Sequence, residues 1–140
     1  LNADFAAFVA DELVTGREAI SVIVVGSSFG GIAALYTAAA YPERFSGVIA
    51  QSVSLWRCRD RIDELIPKQR SYPIHLSWGE FEGVPRHGTT IRDANREFFA
   101  RLASDGHEVI RDEYRGAHGA PNWREPLISA LEIFIREKIR

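Results

Sequence analysis

The spacing of apolar residues changes period several times along the chain, and each change marks an element. Phe5, Phe8, Val9 and Leu13 recur at helical spacing behind Asn2, a residue type that caps helix starts, so an amphipathic surface helix is expected to about Val14. From Ser21 through Val25 the chain is continuous and β-branched up to Gly26, which predicts a strand buried on both faces of a parallel sheet. Phe29 to Ala40, rich in Ala and Leu, reads as a helix stopped by Tyr41-Pro42-Glu43-Arg44-Phe45, and Gly47 to Ala50 as a second strand. A third strand is expected at Ile74 to Trp78, a helix at Ile91 to Ala103 and a fourth strand at His107 to Tyr114. The last helix runs from about Asn122, its expected cap, to Lys138. Strands alternating with long helices imply a three-layer α/β fold: a mostly parallel sheet with helices on both faces.

Composition narrows the class of partner. Of 140 residues, 46% are hydrophobic and 26% charged, enough to build one packed core. With 17 Lys and Arg against 19 Asp and Glu, the net charge of -2 gives no reason to expect nucleic acid or an anionic membrane as a partner. No apolar run reaches the ~20 residues of a membrane-spanning helix, and the first residues lack a signal-peptide layout, so the expected compartment is the cytoplasm, with the periplasm as alternative. Cys58 is the single cysteine, which excludes an internal disulfide and a cysteine-based metal site; no metal or cofactor is expected. The chain opens on Leu1 in the lead-in to a helix and has no methionine, so it is expected to be part of a longer protein.

Gly26-Ser27-Ser28-Phe29-Gly30 matches G-x-S-x-G and lies where that motif must, directly after a strand and directly before a helix. The sharp turn holds a serine hydroxyl above the C-terminal edge of the sheet, with small residues two before and two after it. Ser28 is therefore the expected nucleophile of an α/β-hydrolase, and the full dinucleotide-binding fingerprint is absent. The Phe29 backbone N–H, at the positive end of the following helix, is the expected oxyanion donor. A second donor ordinarily comes from a loop after an earlier strand, upstream of Leu1. On this reading residues 1–140 are the C-terminal part of a hydrolase domain whose N-terminal strands and second oxyanion loop are missing. Val22 to Val25 would then line an open apolar edge, and the chain alone would be inactive.

A serine hydroxyl needs an imidazole to take its proton. Of the four histidines, His75 falls in a strand, where hydrogen bonds would satisfy it, His87 in a loop and His107 at a turn. His118, within Arg115-Gly116-Ala117-His118-Gly119 after the final strand, stands where the order serine, acid, histidine puts the base. The acid should follow the strand before last, where Trp78-Gly79-Glu80-Phe81-Glu82 offers two carboxylates. Glu82 is preferred, with Glu80 in reserve and Asp93 third; a serine-histidine pair without an acid stays open.

These blocks carry a family resemblance. Asn2-Ala3-Asp4-Phe5, the elbow Gly26 to Gly31, Tyr41-Pro42-Glu43-Arg44-Phe45, Gln51-Ser52-Val53-Ser54-Leu55-Trp56, Gly116-Ala117-His118-Gly119 and Trp123-Arg124 resemble successive segments of enterochelin (enterobactin) esterases, within the esterase-D-like α/β-hydrolases. The resemblance implies Ser28, His118 and Glu82 as catalytic residues, no catalytic metal, and hydrolysis of the trilactone ester backbone of a ferric catecholate siderophore. Trp56-Arg57 departs from the paired tryptophans common in the family. Trp56, Arg57, Arg59 and Arg61 follow the strand after the elbow helix, at the edge where such folds bind ligands. Trp56 could stack on an aryl ring and Arg57 pair with its charge, or Trp56 could cap helix and sheet beside solvated arginines. Trp123 could wall the pocket beside His118. Cys58, between arginines, would have a lowered pKa but no base beside it. Two alternatives remain: another esterase-D-like carboxylesterase acting on acyl sugars, feruloyl esters or thioesters, and a non-catalytic binding domain that kept the elbow.

Overall fold

The computed structural model describes residues 1–14, 16, 21–68 and 72–139. Asn2 caps the first helix as expected, its Oδ1 accepting the Phe5 N–H at 3.1 Å. Helix α1 (Ala3–Ala7) then widens into a π-helix at Phe8–Leu13. Of the expected apolar face only Val9 packs against the core, half-buried. Ala6 and Ala10 are the buried residues, packed towards the next helix, whereas Phe5, Phe8 and Leu13 are exposed.

Four strands form one parallel sheet: β1 (Ile23–Ser27), β2 (Gly47–Gln51), β3 (Ile74–Gly79) and, later in the chain, β6 (Val109–Tyr114), in the spatial order β1-β2-β3-β6. Between β3 and β6 lies a small antiparallel hairpin, β4 (Pro85–Arg86) and β5 (Thr89–Thr90). Its turn at His87 and Gly88 has two successive positive φ angles, 49° and 84°, the geometry of a two-residue hairpin turn. The sequence pattern did not predict this hairpin, nor the 3-10 turns at Leu55–Arg57 and Arg59–Leu65.

Strand alternation divides the core into two layers. Val48 and Ala50 of β2 and Ile74, Leu76 and Trp78 of β3 pack with helix α2 (Phe29–Ala40) and helix α3 (Ile91–Ser104) through Leu35, Phe98 and Leu102. Ile49 packs on the other face with Ala130 and Phe134 of helix α4 (Ala120–Ile139). The fold is the α/β three-layer arrangement expected, with helices on both sides of a parallel sheet. Because all four strands run the same way, their C-terminal ends share one edge. Asn122 is not the cap of α4: it sits in the first turn, donating its N–H to the Gly119 carbonyl at 3.0 Å, because Pro121 ahead of it is tolerated where backbone donors are spare.

β1 departs from the expectation of burial on both faces. Among the described residues it pairs with β2 alone, and Val25 remains 42% exposed, so its apolar run lines an open edge. Among the described residues no helix is long and apolar enough to cross a membrane.

Asn95 of α3 ties the helix layer to the sheet edge. Fully buried, it accepts the Val53 N–H at 3.2 Å and donates Nδ2 to the carbonyls of Val53 and Ile91, both at 2.8 Å. Asn95→Ala leaves the Val53 N–H unpaired, while the Val53 carbonyl keeps the Leu55 N–H at 2.8 Å, and is expected to cost about 2 kcal/mol, measurable as a lowered denaturant midpoint with an unchanged slope. His75 is buried at 1% exposure with Nδ1 unpaired, against the expectation of a hydrogen-bonded histidine. Burial pushes its pKa below the ordinary value, with Asp112 opposing. A depressed folded-state pKa means that the unfolded chain binds the extra proton, so stability is present above the unfolded pKa near 6.5 and is lost as pH falls below it. Melting curves from pH 7.5 to 5 should show this loss in the wild type, and a smaller one in His75→Leu.

Candidate active site

Ser28 stands between β1 and α2 with φ 57° and ψ −118°, a conformation that a residue with a Cβ enters only at a cost. Three backbone bonds hold it there. Its N–H donates to the Gln51 carbonyl at 2.8 Å, and its own carbonyl accepts from Gly31 at 3.2 Å and from Ser54 at 3.3 Å. A Cβ on Gly26 would lie 2.0 Å from the Gly30 carbonyl oxygen, so strand and helix meet only if residue 26 is glycine. Gly30 is different: no atom lies within 4 Å of where its Cβ would stand.

The loops after β3 and β6 cross in the same manner. A Cβ on Gly79 would be 2.2 Å from the Gly116 carbonyl oxygen, and that oxygen accepts the Phe81 N–H at 3.0 Å. The crossing carries Glu82 and His118 to the nucleophile turn. His118 Nε2 lies 3.0 Å from Ser28 Oγ, and His118 Nδ1 lies 3.4 Å from Glu82 Oε1. With the imidazole proton on Nδ1, Nε2 is free to accept the serine proton. The Glu82 side chain is fully buried while that of His118 is 35% exposed, so the carboxylate is enclosed and the imidazole opens towards solvent.

Of the three carboxylates considered in the sequence, Glu82 alone meets His118. Glu80 is exposed, and its carbonyl accepts from Arg92 at 3.2 Å. Asp93 lies in the first turn of α3, where it exchanges hydrogen bonds with Thr90, the cap of that helix, and Arg92 beside it holds its carboxyl below the usual range. His75 and His87 lie away from Ser28, the first inside the sheet and the second stacked on Trp56. The Phe29 N–H opens α2 at the positive end of the helix, beside the Ser28 hydroxyl.

Three neighbours escaped the sequence pattern. Ser54 Oγ lies 3.0 Å from Ser28 Oγ and is itself buried. Ser52, with a positive φ of 48°, donates Oγ–H to Glu82 Oε1 at 2.6 Å. Tyr114 Oη lies 3.2 Å from Ser52 Oγ, and burial above all pushes this phenol up to about 12, so it stays protonated. The alternation of Ser52 and Ser54 about apolar Val53 was visible, but nothing in it announces two hydroxyls aimed at an acid and at a nucleophile.

The residues expected on the substrate side divide. Trp123 does stand beside His118, edge-on with ring centroids 5.1 Å apart, but its indole N–H is turned inward to Ser52 Oγ at 3.0 Å. Its carbonyl accepts from Gln51 Nε2 at 2.8 Å, which fixes the start of α4 against β2. Trp56 is half-buried, stacked on His87 at 4.8 Å and edge-on to the exposed Phe29 ring at 6.0 Å. Arg57 is exposed next to it, Arg61 pairs with Glu64, and the Arg59 side chain lies outside the described residues. A cavity of about 340 Å³ opens between Trp56, Arg57, Arg61, Asp60 and His87. Cys58 runs against the expected lowered pKa: burial raises its thiol, which donates to the Leu55 carbonyl.

Comparison with known proteins is consistent across sequence and fold. A family described as putative esterase matches residues 1–134. The iron(III) enterobactin esterase of Dickeya dadantii (strain 3937) is 31% identical over 126 residues, covering 78% of this chain and 28% of that protein. The iron(III) enterobactin esterase of Escherichia coli (strain K12) is 31% identical over 143 residues, covering 93% of this chain and 36% of that protein. The enterobactin esterase of Shigella flexneri, solved in the presence of 2,3-dihydroxy-N-benzoyl-glycine, matches with a TM-score of 0.81 at 27% identity, over 99% of this chain and 40% of that one. This chain spans 28% of the first of these curated relatives and 36% of the second. A ferulic acid esterase at 17% identity and a TM-score of 0.71 shares the fold. With its α/β sheet, its elbow and a family match over residues 1–134, the chain belongs to the putative esterase family.

Proposed function

We propose that this chain is the C-terminal part of a longer serine hydrolase that cleaves carboxylic esters through an acyl-enzyme. The observation that carries this reading is the 3.0 Å contact of Ser28 Oγ with His118 Nε2 on a strained strand-to-helix turn, backed by buried Glu82.

The chemistry follows from the geometry. Ser28 Oγ attacks the ester carbonyl carbon while its proton passes to His118 Nε2, and the carbonyl π electrons move onto oxygen. That oxyanion develops against the Phe29 N–H, at the positive end of α2. As the C–O bond to the leaving alcohol breaks, His118 returns the proton to it. Water then repeats the sequence on the acyl-enzyme, releasing the acid and restoring Ser28. Glu82, kept from water, stabilises the imidazolium in both halves. The missing second oxyanion donor would come from an upstream segment, in keeping with the open edge of β1 and the fraction of its relatives that the chain spans.

For the substrate we favour the trilactone ester backbone of a ferric catecholate siderophore, on the strength of the curated relatives. The iron would be cargo of that substrate. Trp56 and Phe29 offer aromatic faces and edges beside the reacting serine, and Arg57 a cation, the combination that suits a charged catechol ring.

In the full-length protein, a fluorophosphonate should label Ser28. Ser28→Ala should abolish both label and ester turnover, and His118→Ala should lower the labelling rate by at least about a hundredfold. Label on another serine, or none on a folded protein, would refute the hydrolase reading. Turnover of a catecholate trilactone compared with feruloyl and acyl-sugar esters decides the substrate: a kcat/KM that favours the feruloyl esters would refute the siderophore assignment and leave the mechanism standing.

A further inference from the structure

Glu82 raises a problem that the histidine alone does not solve. Its side chain is fully buried, Oε2 has no hydrogen-bond partner, and His118 Nδ1 stands 3.4 Å from Oε1, longer than a strong charged bond. A buried carboxylate with one distant donor is poorly compensated for the water it has lost. The short contact that compensates it comes from Ser52 Oγ, at 2.6 Å.

The polarity of that contact is forced. Ionised Glu82 can only accept, so the one Ser52 hydroxyl proton points to Oε1. The Trp123 indole N–H can only donate, and it reaches Ser52 Oγ at 3.0 Å. With its proton committed, Ser52 must also accept from the Tyr114 hydroxyl at 3.2 Å. Two donors feeding one hydroxyl polarise it towards the carboxylate. The arrangement is also costly to build, since Ser52 holds a φ of 48° that favours glycine or asparagine. A serine kept in that conformation is there for its side chain.

From this geometry we infer that Ser52 is a positioning residue of the site. Fed by Trp123 and Tyr114, it holds the Glu82 carboxylate aimed at His118 Nδ1. The inference rests on the hydrolase reading above. The other titratable groups near the pair are Tyr114 at the end of β6, Asp112 two residues before it, and Arg92 of α3, whose guanidinium is engaged with Asp93 and the Glu80 carbonyl. None of their side chains donates to the Glu82 carboxylate in place of Ser52; the Arg92 backbone N–H reaches only the Glu82 carbonyl.

The direction of the effect can be worked out. Without the Ser52 hydroxyl, the state with Glu82 charged and His118 neutral loses more stabilisation than the state with both charged. The proton affinity of His118 therefore rises.

The test uses the full-length protein, with His118 titrated by nitrogen-proton NMR and ester kcat/KM followed against pH. Ser52→Gly removes the hydroxyl yet adopts positive φ without strain, which separates the side chain from the backbone. The His118 midpoint should rise by about half a unit to one unit, and the acidic limb of kcat/KM with it. On the plateau kcat should fall by about tenfold or more with KM little changed. Trp123→Phe keeps the ring and drops the N–H, so the midpoint should move the same way by less. A purely structural Ser52 predicts an unchanged midpoint and an unchanged pH profile in Ser52→Gly, and that result would overturn the inference. Should Ser52→Gly not fold, an unchanged midpoint in Trp123→Phe overturns it instead. The two readings fail differently: a His118 midpoint that shifts in Ser52→Gly, in a protein whose Ser28 takes no fluorophosphonate, supports the hold on Glu82 and sinks only the hydrolase assignment.

Discussion

Three of the four strands of the sheet, β1, β2 and β3, hand their exit residue to the strand beside them, and the site is built on that series of bonds. Ser28 N–H reaches the carbonyl of Gln51 at the end of β2, Ser52 N–H that of Ser77 in β3, and Glu80 N–H that of Tyr114 at the end of β6, at 2.8, 2.7 and 2.9 Å. A parallel ladder would otherwise stop at the last paired residue and release the chain to solvent. Here the final bond of each pair sets the height at which the next loop departs. Two of the three exits, Ser28 and Ser52, turn at once into positive φ, a conformation worth roughly 1–3 kcal/mol of strain at each residue. The sheet beneath tolerates the strain because the bonds on both sides of each turn are already made.

Steric access is allotted as unevenly as the hydrogen bonds. At Gly26 and Gly79 the facing backbone fills the space a side chain would need, and these crossings bring helix, acid loop and histidine loop together. Gly30 faces open space although it occupies the last position of the same motif. Its lack of a side chain leaves room on the reacting side of the helix instead of closing a gap beneath it.

The fold was legible in the sequence wherever burial enforces a period. The runs at Gly47 to Ala50 and Ile74 to Trp78 and the helix from Phe29 follow from apolar periodicity, and the elbow motif put Ser28 and His118 at one sheet edge, whereas the preference for Glu82 over Glu80 is decided only by the distances. The first helix was misjudged because small residues, Ala6 and Ala10, make its buried face and leave Phe5, Phe8 and Leu13 outside, which a search for large apolar residues does not detect. Ser52, Ser54 and Asn95 were out of reach for a different reason. Their roles depend on contacts 26 to 71 residues distant in the chain and on a φ sign that a serine does not announce. Trp123 was placed correctly beside His118, yet the direction of its N–H follows from α4 starting earlier than Asn122 suggests.

Helix α3 holds the acid loop and the serine loop from a single turn. The Arg92 N–H donates to the Glu82 carbonyl at 3.3 Å, and one turn on Asn95 grips both backbone groups of Val53, between Ser52 and Ser54. Ser28 and Glu82 follow different strands but lean on the same few residues of one helix. The site therefore has a common foundation instead of separate ones: a disturbance of α3, even from its solvent face, reaches Ser28 and Glu82 together, and the hydroxyl, the imidazole and the carboxylate lose their alignment as one unit.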